Sequence, residues 1–222
     1  MKKLHKLITT FFICLLFFIS KTDLFAQSNF EGKIIFTISY ADMPAEMKGY
    51  EAMMPKDMTI YIKGNKSKVE QNQMMGKQVV VSDLGQQNGF MEMNMSGQKI
   101  RINISTEEFK QEAEQMPNIE YLNETKTIAG YPCKKAIMKD ETGQMTMTVF
   151  YTEKINNKAQ TKFVGLKGFP LQYTMTQQNM TLEMTASEIS KESVSDAIFY
   201  KSEGYKDMSQ ADLQKMMGGG SY

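Results

Sequence analysis

The sequence has little of the residues that most enzymes and nucleic-acid binders depend on. Its 222 residues include one histidine, two cysteines and no tryptophan, and Arg101 is its single arginine. The histidine, His5, lies in an N-terminal segment that we expect to be removed. The exported chain then has no Ser-His-Asp or Cys-His arrangement and no His-ligated zinc site. These absences point away from the common hydrolytic and zinc-dependent enzymes.

The first 26 residues have the organisation of a cleaved secretory signal. Lysines precede an apolar run, Leu7–Ile19, and Ala26 ends a short cleavage motif. The run is shorter than the roughly 20 apolar residues that span a bilayer. We therefore predict an exported protein, whether periplasmic, outer-membrane-associated or extracellular. Residues 1–26 are expected to be removed, leaving a single domain over residues 27–222.

Removal of residues 1–26 leaves a nearly neutral chain with a single cysteine. The remaining chain has 22 basic and 24 acidic residues. Nucleic-acid binders need a basic surface, so we expect no nucleic-acid partner. Cys133 alone cannot form an internal disulfide, and we expect it to be a small buried residue. No second apolar run approaches the length of a membrane span, so no transmembrane segment is expected in the exported chain.

Alternating apolar and polar residues predict a protein made mainly of strands. Residues Glu31 to Tyr40 alternate in this way. Two-residue turns such as Gly64-Asn65 and Ser96-Gly97 link later strands into hairpins. We predict a mainly β (α+β) domain, with a strongly curved antiparallel sheet or half-barrel of about ten strands. Two or three helices are expected to pack in or across its concave face.

Two helices carry clear capping signals. Ser105 and Glu108 have the spacing of a capping box. Ser209 precedes a final short helix with Leu213 on its apolar side. Glu108 and Glu112 lie one turn apart, and we interpret this carboxylate pair as a solvated helix surface rather than a glycosidase site. We therefore assign no catalytic residues.

Four short motifs, spread over most of the exported chain, carry a resemblance to a known family. They are Phe30–Ile34, Thr127–Lys135, Gly165–Leu171 and Gly204–Met208. The sequence resembles an uncharacterised domain-of-unknown-function family of exported bacterial proteins, similar in fold to LolA/LolB-like lipoprotein carriers. The resemblance implies a curved antiparallel sheet wrapped around helices, with a half-open apolar cavity of the kind that lipoprotein carriers use for acyl chains. It implies no catalytic residues.

Methionine, in contrast, is abundant, with 21 residues in the chain. Several methionines alternate with polar residues, so those two positions apart project from the same face of a strand. If adjacent strands pair in the matching register, these side chains form one thioether-rich face. The residues that we predict to line a ligand cavity on this face are Met91, Met93, Met95, Met145, Met147, Tyr173, Met175 and Met184.

Three interpretations of this face remain open. Methionine is flexible and polarizable, so a methionine-lined cavity can adapt to a lipid or another apolar ligand. Thioethers are also soft ligands that favour Cu(I). In the third interpretation methionine fills an ordinary core, and the protein is a structural or interaction module. For function we favour a non-enzymatic envelope protein that binds a lipid or other apolar ligand, without a cofactor and with its protein partners undetermined.

Overall fold

A computed structural model describes residues 30–41, 43–44, 49–50, 53–73, 76–95, 97–114, 117–140, 146–156, 163–177 and 180–216. The predicted signal segment, residues 1–26, lies outside this part of the chain. The domain boundary at residue 27 therefore stays a prediction. None of the helices in the described residues is long and apolar enough to cross a membrane.

Strands make up most of the described chain, and two α-helices and a 3-10 helix accompany them. The 3-10 helix spans Asp196–Phe199, and the α-helices are α1, Thr106–Glu114, and α2, Gln210–Met216. The strands are β1 Glu31–Ala41, β2 Asp57–Lys63, β3 Lys66–Gln73, β4 Gly76–Asp83, β5 Asn88–Met95, β6 Gln98–Ile104, β7 Asn118–Ile128, β8 Tyr131–Lys139, β9 Thr146–Thr152, β10 Phe169–Gln177, β11 Met180–Lys191 and β12 Lys206–Asp207.

All twelve strands belong to one open sheet, with the order β12-β6-β5-β4-β3-β2-β1-β11-β10-β9-β8-β7. Two antiparallel meanders, β1 to β6 and β7 to β11, are joined where β1 pairs with β11. This is the mainly β, open antiparallel sheet that the sequence predicts. The sheet has twelve strands where about ten were expected, and one of them, β12, has only two residues. So short a strand leaves no alternating pattern to detect.

The sheet is curved. Cα atoms of β7 and β11 come within 8 Å of each other, although β8, β9 and β10 lie between them in the sheet. In a flat sheet, four steps of about 4.8 Å would separate these strands by about 19 Å. Curvature of this kind agrees with the expected curled sheet.

The two faces of β1 differ in polarity, as its alternating sequence predicts. Ile34 and Phe36 are fully buried on one face, whereas Thr37 and Ser39 are exposed on the other. Since β1 lies in the middle of the sheet, its buried face forms the centre of the main apolar core. That core also contains Ile60 and Ile62 of β2, which are buried on the same side.

The two predicted helix caps are formed. The Glu108 Oε2 atom accepts a hydrogen bond from the Ser105 backbone N–H at 2.8 Å, and Ser105 Oγ accepts one from the Glu108 N–H at 3.3 Å. At the start of α2, Ser209 Oγ accepts a hydrogen bond from the Asp212 N–H at 3.1 Å. Each cap satisfies backbone donors that the first turn of a helix leaves unpaired.

A buried ion pair holds the C-terminal segment against β5 and β6. No sequence pattern indicates this pair. The Glu92 Oε1 atom accepts hydrogen bonds from Arg101 Nε at 3.0 Å and Nη2 at 2.8 Å. The same oxygen accepts a hydrogen bond from the Ser202 backbone N–H at 2.9 Å. The Glu92 side chain is 2% exposed and that of Arg101 is 9% exposed. The single arginine is thus used to anchor the chain near Ser202.

From Ser202 the chain passes around the β6 edge of the sheet, and we call residues 202–213 the C-terminal clasp. Strand β12 pairs parallel with β6 along that edge, and the Met208 N–H donates to the Arg101 carbonyl at 2.8 Å. Leu213 of α2 then packs against Ile100 and Ile102, which project from the face opposite to Arg101. The clasp covers an edge that would otherwise present unpaired backbone groups.

We predict that Glu92→Gln lowers the free energy of unfolding by about 3 kcal/mol, because it removes the buried counter-ion of Arg101 and leaves only the largely exposed Asp207 carboxylate, at 3.4 Å. Urea denaturation followed by circular dichroism measures this loss. The control is Lys134→Ala, since the Lys134–Glu153 pair lies at the surface with both side chains about half exposed. That change should cost less than about 1 kcal/mol. Equal losses in the two variants would show that the buried pair does not anchor the clasp.

Candidate binding face

The strand registers place on one face of the sheet those predicted methionines that the structure describes. Residues that pair directly across two strands project from the same side. Met147 pairs with Met175, and Tyr173 pairs with Met184. Met91 lies on that side as well. It is linked to Ile34 by directly paired residues: Met91 with Val80, Val80 with Val69, Val69 with Ile60, and Ile60 with Ile34. Ile34 shares a face of β1 with Ile38, which pairs with Met184. We call this side of the sheet the methionine face.

The predicted residues nevertheless form two separate groups on this face. Met91 and Met93 lie on β5 and pack with Ile100, Ile102 and Leu213 under helix α2. Met147, Tyr173, Met175 and Met184 lie on β9 to β11. Four strands lie between the two groups, and on this face they carry one described methionine, Met58 opposite Phe36, among mainly aliphatic residues. The face is therefore rich in thioethers only towards its two ends.

Two of the predicted residues cannot be placed fully. Met145 lies outside the described residues. Met95 pairs through its backbone with Gln98, but its side chain is not described. For the other six, the structure shows their position on the sheet.

The group on β9 to β11 has neighbours that were not among the predicted cavity residues. Met138 pairs with Met147, and Leu182 pairs with both Met175 and Tyr40. One cross-strand row on the methionine face therefore runs through Met138, Met147, Met175, Leu182 and Tyr40. Neither Met138 nor Tyr40 has a local signal that marks it, because only the pairing register makes them neighbours of the predicted residues.

We define the central patch as the half-buried apolar part of this row together with Tyr173 and Met184 next to it. Its members are Tyr40, Met147, Tyr173, Met175, Leu182 and Met184, all of intermediate exposure. Fully buried side chains adjoin it, among them Val149 and Met138. The central patch is thus the partly exposed margin of a solid core.

Aromatic rings hold Tyr173 in the middle of the patch. The Phe163 and Tyr173 rings lie edge to face with centroids 5.0 Å apart, and the Phe36 ring lies 6.2 Å away. Phe163 belongs to the loop before β10, and the Tyr121 hydroxyl donates to the Gly165 carbonyl of this loop at 3.1 Å. Burial raises the pKa of the Tyr173 hydroxyl well above its ordinary value, so this group stays protonated over the physiological range.

Of the two carboxylates paired on helix α1 in the sequence, Glu108 has a structural role. Glu108 is engaged in the α1 cap, and the side chain of Glu112 is not described. A cleft of about 490 Å³ adjoins the C-terminal clasp rather than the central patch, and it is lined by Asn103, Lys206, Asp207, Met208, Ser209 and Asp212.

Cys133 is a free, buried cysteine, as predicted. Burial raises the pKa of its thiol from the ordinary value of 9.0 to about 11. A backbone hydrogen bond at Ile128 and the charge of Lys126 offset only part of this effect. The thiolate, the reactive form, is therefore disfavoured at neutral pH.

The open antiparallel sheet places the protein in the class of mainly β domains, here with a half-buried apolar patch on one face of the sheet. The sequence profile of the family described as N-glycanase peptide, N-terminal domain, matches residues 53–213. This match covers well over half of the chain, which therefore belongs to that family. Membership of an uncharacterised exported family, expected from the motifs, stays a prediction. No curated protein sequence matches the chain.

The fold is similar to that of PNGF-II, whose structure is known in two space groups. The TM-scores are 0.54 and 0.52, at 14% and 15% sequence identity. The similarity covers 85% and 83% of this chain but only 33% and 32% of PNGF-II, so this chain spans about a third of that protein. At this identity the likeness concerns the fold alone.

The lipoprotein LppX from Mycobacterium tuberculosis is a more distant match. Its TM-score is 0.40 at 9% identity, and the match covers 74% of this chain and 89% of LppX. A score this low does not establish a shared fold. The sheet of this protein is antiparallel, open and curved, and these features agree with the expected likeness to lipoprotein carriers.

We predict that Cys133 in the folded protein reacts with iodoacetamide at pH 8 about 100-fold more slowly than in urea, because burial raises the pKa of its thiol from 9.0 to about 11. Mass spectrometry of timed samples measures the rate.

The raised pKa of Cys133 also stabilises the fold below pH 9, and this contribution is lost as the pH rises from 9 to about 11. Cys133→Ala should remove that part of the pH dependence. Rapid labelling of the folded protein would contradict the assignment.

Proposed function

We propose that this protein is an exported, non-catalytic binding module that takes up an apolar or amphiphilic ligand on the central patch. The observation that carries the proposal is the cross-strand row of half-buried side chains through Met147, Met175, Leu182 and Tyr40. A large contiguous apolar patch on a protein surface marks an interaction site or a ligand-binding groove.

The chemistry of the patch suits ligands of varied shape. Thioether side chains have three rotatable bonds and are polarizable, so Met147, Met175 and Met184 can repack around different apolar groups. The buried core beneath them is rigid by comparison, since Val149 and Phe36 are fully enclosed. A ligand would therefore meet an adaptable layer on a fixed support.

The titratable groups of the central patch support a non-catalytic role. Tyrosine is the only titratable residue type in the central patch, and the pKa of Tyr173 is raised by burial. Such a group does not exchange a proton at neutral pH.

Export is supported by the N-terminal sequence. The family name describes a domain at the N-terminus of an N-glycanase. This description is compatible with a module that binds a ligand while other components carry out catalysis.

We predict that the protein binds a pyrene-labelled fatty acid methyl ester with micromolar or tighter affinity, because the patch replaces water around the chain. Protein purified after expression of the full sequence is titrated with the probe, and pyrene fluorescence is recorded. The double variant Met147→Gln and Met175→Gln keeps side-chain length but adds polar groups to the patch. Its affinity should fall at least about tenfold, since each buried unpaired amide costs of the order of 1 kcal/mol or more.

The control is Met216→Gln on α2, where the methionine is 44% exposed. It makes the same chemical change away from the patch and should leave the affinity unchanged. Thermal unfolding of all three proteins shows whether each is folded. If the wild-type protein takes up no probe, the patch is simply the margin of a filled core, and the structural or interaction role holds instead.

A second candidate function is Cu(I) binding, and one feature of the row favours it. Met138, Met147 and Met175 lie directly opposite one another on three adjacent strands. Neighbouring strands lie about 4.8 Å apart, which lets three thioethers converge on one soft ion. On β5, by contrast, Met91 and Met93 follow each other along a single strand, about 6.6 Å apart.

The copper candidate predicts that the protein competes with a Cu(I) chelator for one ion per chain. The double variant Met147→Leu and Met175→Leu removes sulfur and nearly preserves volume, so it should abolish copper binding and leave uptake of the pyrene probe within about threefold. The matched control is Met91→Leu and Met93→Leu on β5. If the wild-type protein takes no copper from the chelator, this candidate is wrong, whatever the lipid probe does.

A further inference from the structure

Three glutamine side chains lie on the methionine face, at positions where alternation along the strand favours apolar residues. On β3, Gln71 and Gln73 continue the series that begins with Val69. On β4, Gln78 lies two residues before Val80, so it shares the face of that valine. Gln71 pairs directly with Gln78 across the two strands. We call Gln71, Gln73 and Gln78 the glutamine cluster.

Hydrogen bonds hold the three amides of the cluster together. Gln73 Nε2 donates to Gln78 Oε1 and makes a long hydrogen bond, at 3.5 Å, to Gln71 Oε1. Gln78 Nε2 donates to the Sδ atom of Met91 at 3.0 Å, and a thioether is only a weak acceptor. The amides are therefore positioned mainly by one another.

The cluster keeps hydrogen-bonding groups that face outward. Gln71 Nε2 makes no hydrogen bond within the described part of the chain, where Asn94 Oδ1 is the one buried side-chain nitrogen or oxygen without a partner. The Gln71 amide nitrogen is therefore accessible to solvent, although the residue is half-buried as a whole. Gln73 is exposed, and its carbonyl oxygen accepts no hydrogen bond from the described residues. The cluster thus offers both a donor and an acceptor.

The glutamine cluster adjoins the central patch through Phe36 and Met58. Phe36 packs against Tyr173 of the patch, with ring centroids 6.2 Å apart, and it pairs with Met58 on β2. The register of β2 and β3 sets Met58 beside Gln71. Two strand steps of about 4.8 Å separate β1 from β3. An amphiphile whose chain lies on the central patch can therefore place its head group on the cluster.

Charged side chains lie on the other side of this part of the sheet. In β1 to β6, every aspartate, glutamate, lysine and arginine projects from the face opposite to the methionine face, as the pairing registers show. Lys77 and Glu70, which adjoin the cluster in sequence, form an ion pair at 2.8 Å on that opposite face. An ionised head group on the cluster would find no counter-charge on these strands, and an unpaired charge is costly to remove from water.

We infer that the glutamine cluster binds the head group of the amphiphile, and that this head group is uncharged and carries hydroxyl groups, as in a monoacylglycerol. A hydroxyl group both donates and accepts hydrogen bonds, which matches the outward-facing amide groups of Gln71 and Gln73. A methyl ester offers acceptors alone, and a carboxylate brings a charge. The inference rests on the proposed function and adds to it the class of head group and the residues that select it.

The test compares three pyrene-labelled probes of equal acyl length: a monoacylglycerol, a fatty acid methyl ester, and the ionised fatty acid at pH 8. The wild-type protein should bind the monoacylglycerol at least about threefold more tightly than the methyl ester, and the fatty acid anion most weakly. Gln71→Met keeps side-chain length and removes the amide. Its affinity for the monoacylglycerol should fall about 3- to 10-fold, the usual effect of one neutral hydrogen bond, and its affinity for the methyl ester should stay the same or rise.

The matched control is Gln98→Met, the same replacement at the exposed start of β6, two strands from Gln78. It should leave the ratio of the two affinities unchanged. Gln73→Met, at an exposed position of the cluster, should lower the ratio as Gln71→Met does. Thermal unfolding shows whether each variant is folded.

Nuclear magnetic resonance of the wild-type protein provides a separate measurement. The side-chain amide signals of Gln71 and Gln73 are identified by their absence from the spectra of the two methionine variants. Both pairs of signals should shift further on addition of the monoacylglycerol than on addition of the methyl ester.

The proposed function and this inference fail in different ways. If none of the probes binds the wild-type protein, the proposed function is wrong and this inference is wrong with it. If the probes bind and the monoacylglycerol is not preferred, or both cluster variants leave the affinity ratio unchanged, the central patch binds ligands but the glutamine cluster does not bind their head group.

Discussion

The antiparallel pairing of β1 with β11 is the constraint on which the rest of this structure depends. It runs from Gly32 opposite Lys191 to Ala41 opposite Thr181, and it joins two meanders that are otherwise built from neighbours in sequence. Closing so long a stretch of chain costs entropy, but that cost grows only slowly with length. Burial of Ile34 and Phe36 at the junction offsets it.

The candidate binding site is a consequence of this pairing. Leu182 and Met184 belong to the second meander, and the β1–β11 register sets them beside Tyr40 and Ile38 of the first. The central patch thus takes residues from both halves of the protein and exists only when the halves are joined. At the other end of the sheet, the C-terminal clasp covers Met91 and Met93. The methionine face is therefore left partly exposed chiefly where the two meanders meet.

Much of the fold could be predicted because its signals are local. Alternation along β1, the Gly64-Asn65 turn and the Ser105–Glu108 cap depend on residues close in sequence, and the structure confirms them. The buried Glu92–Arg101 pair could not be predicted in this way. Glu92 alternates with methionines and has the pattern of a solvent-facing residue, and only the clasp that folds over it makes it buried. The same limit applies to Met138, whose place in the row depends on its strand partners.

The sequence by itself determined the strands, the side of each strand on which its methionines lie, and the absence of histidine chemistry after residue 26. It did so because side chains alternate with a period of two along any strand. Only the tertiary structure decided which strands are neighbours, and so which methionines meet. Strand order and register between distant segments are set by burial over the whole sheet. For that reason the expected single thioether-rich face became two groups.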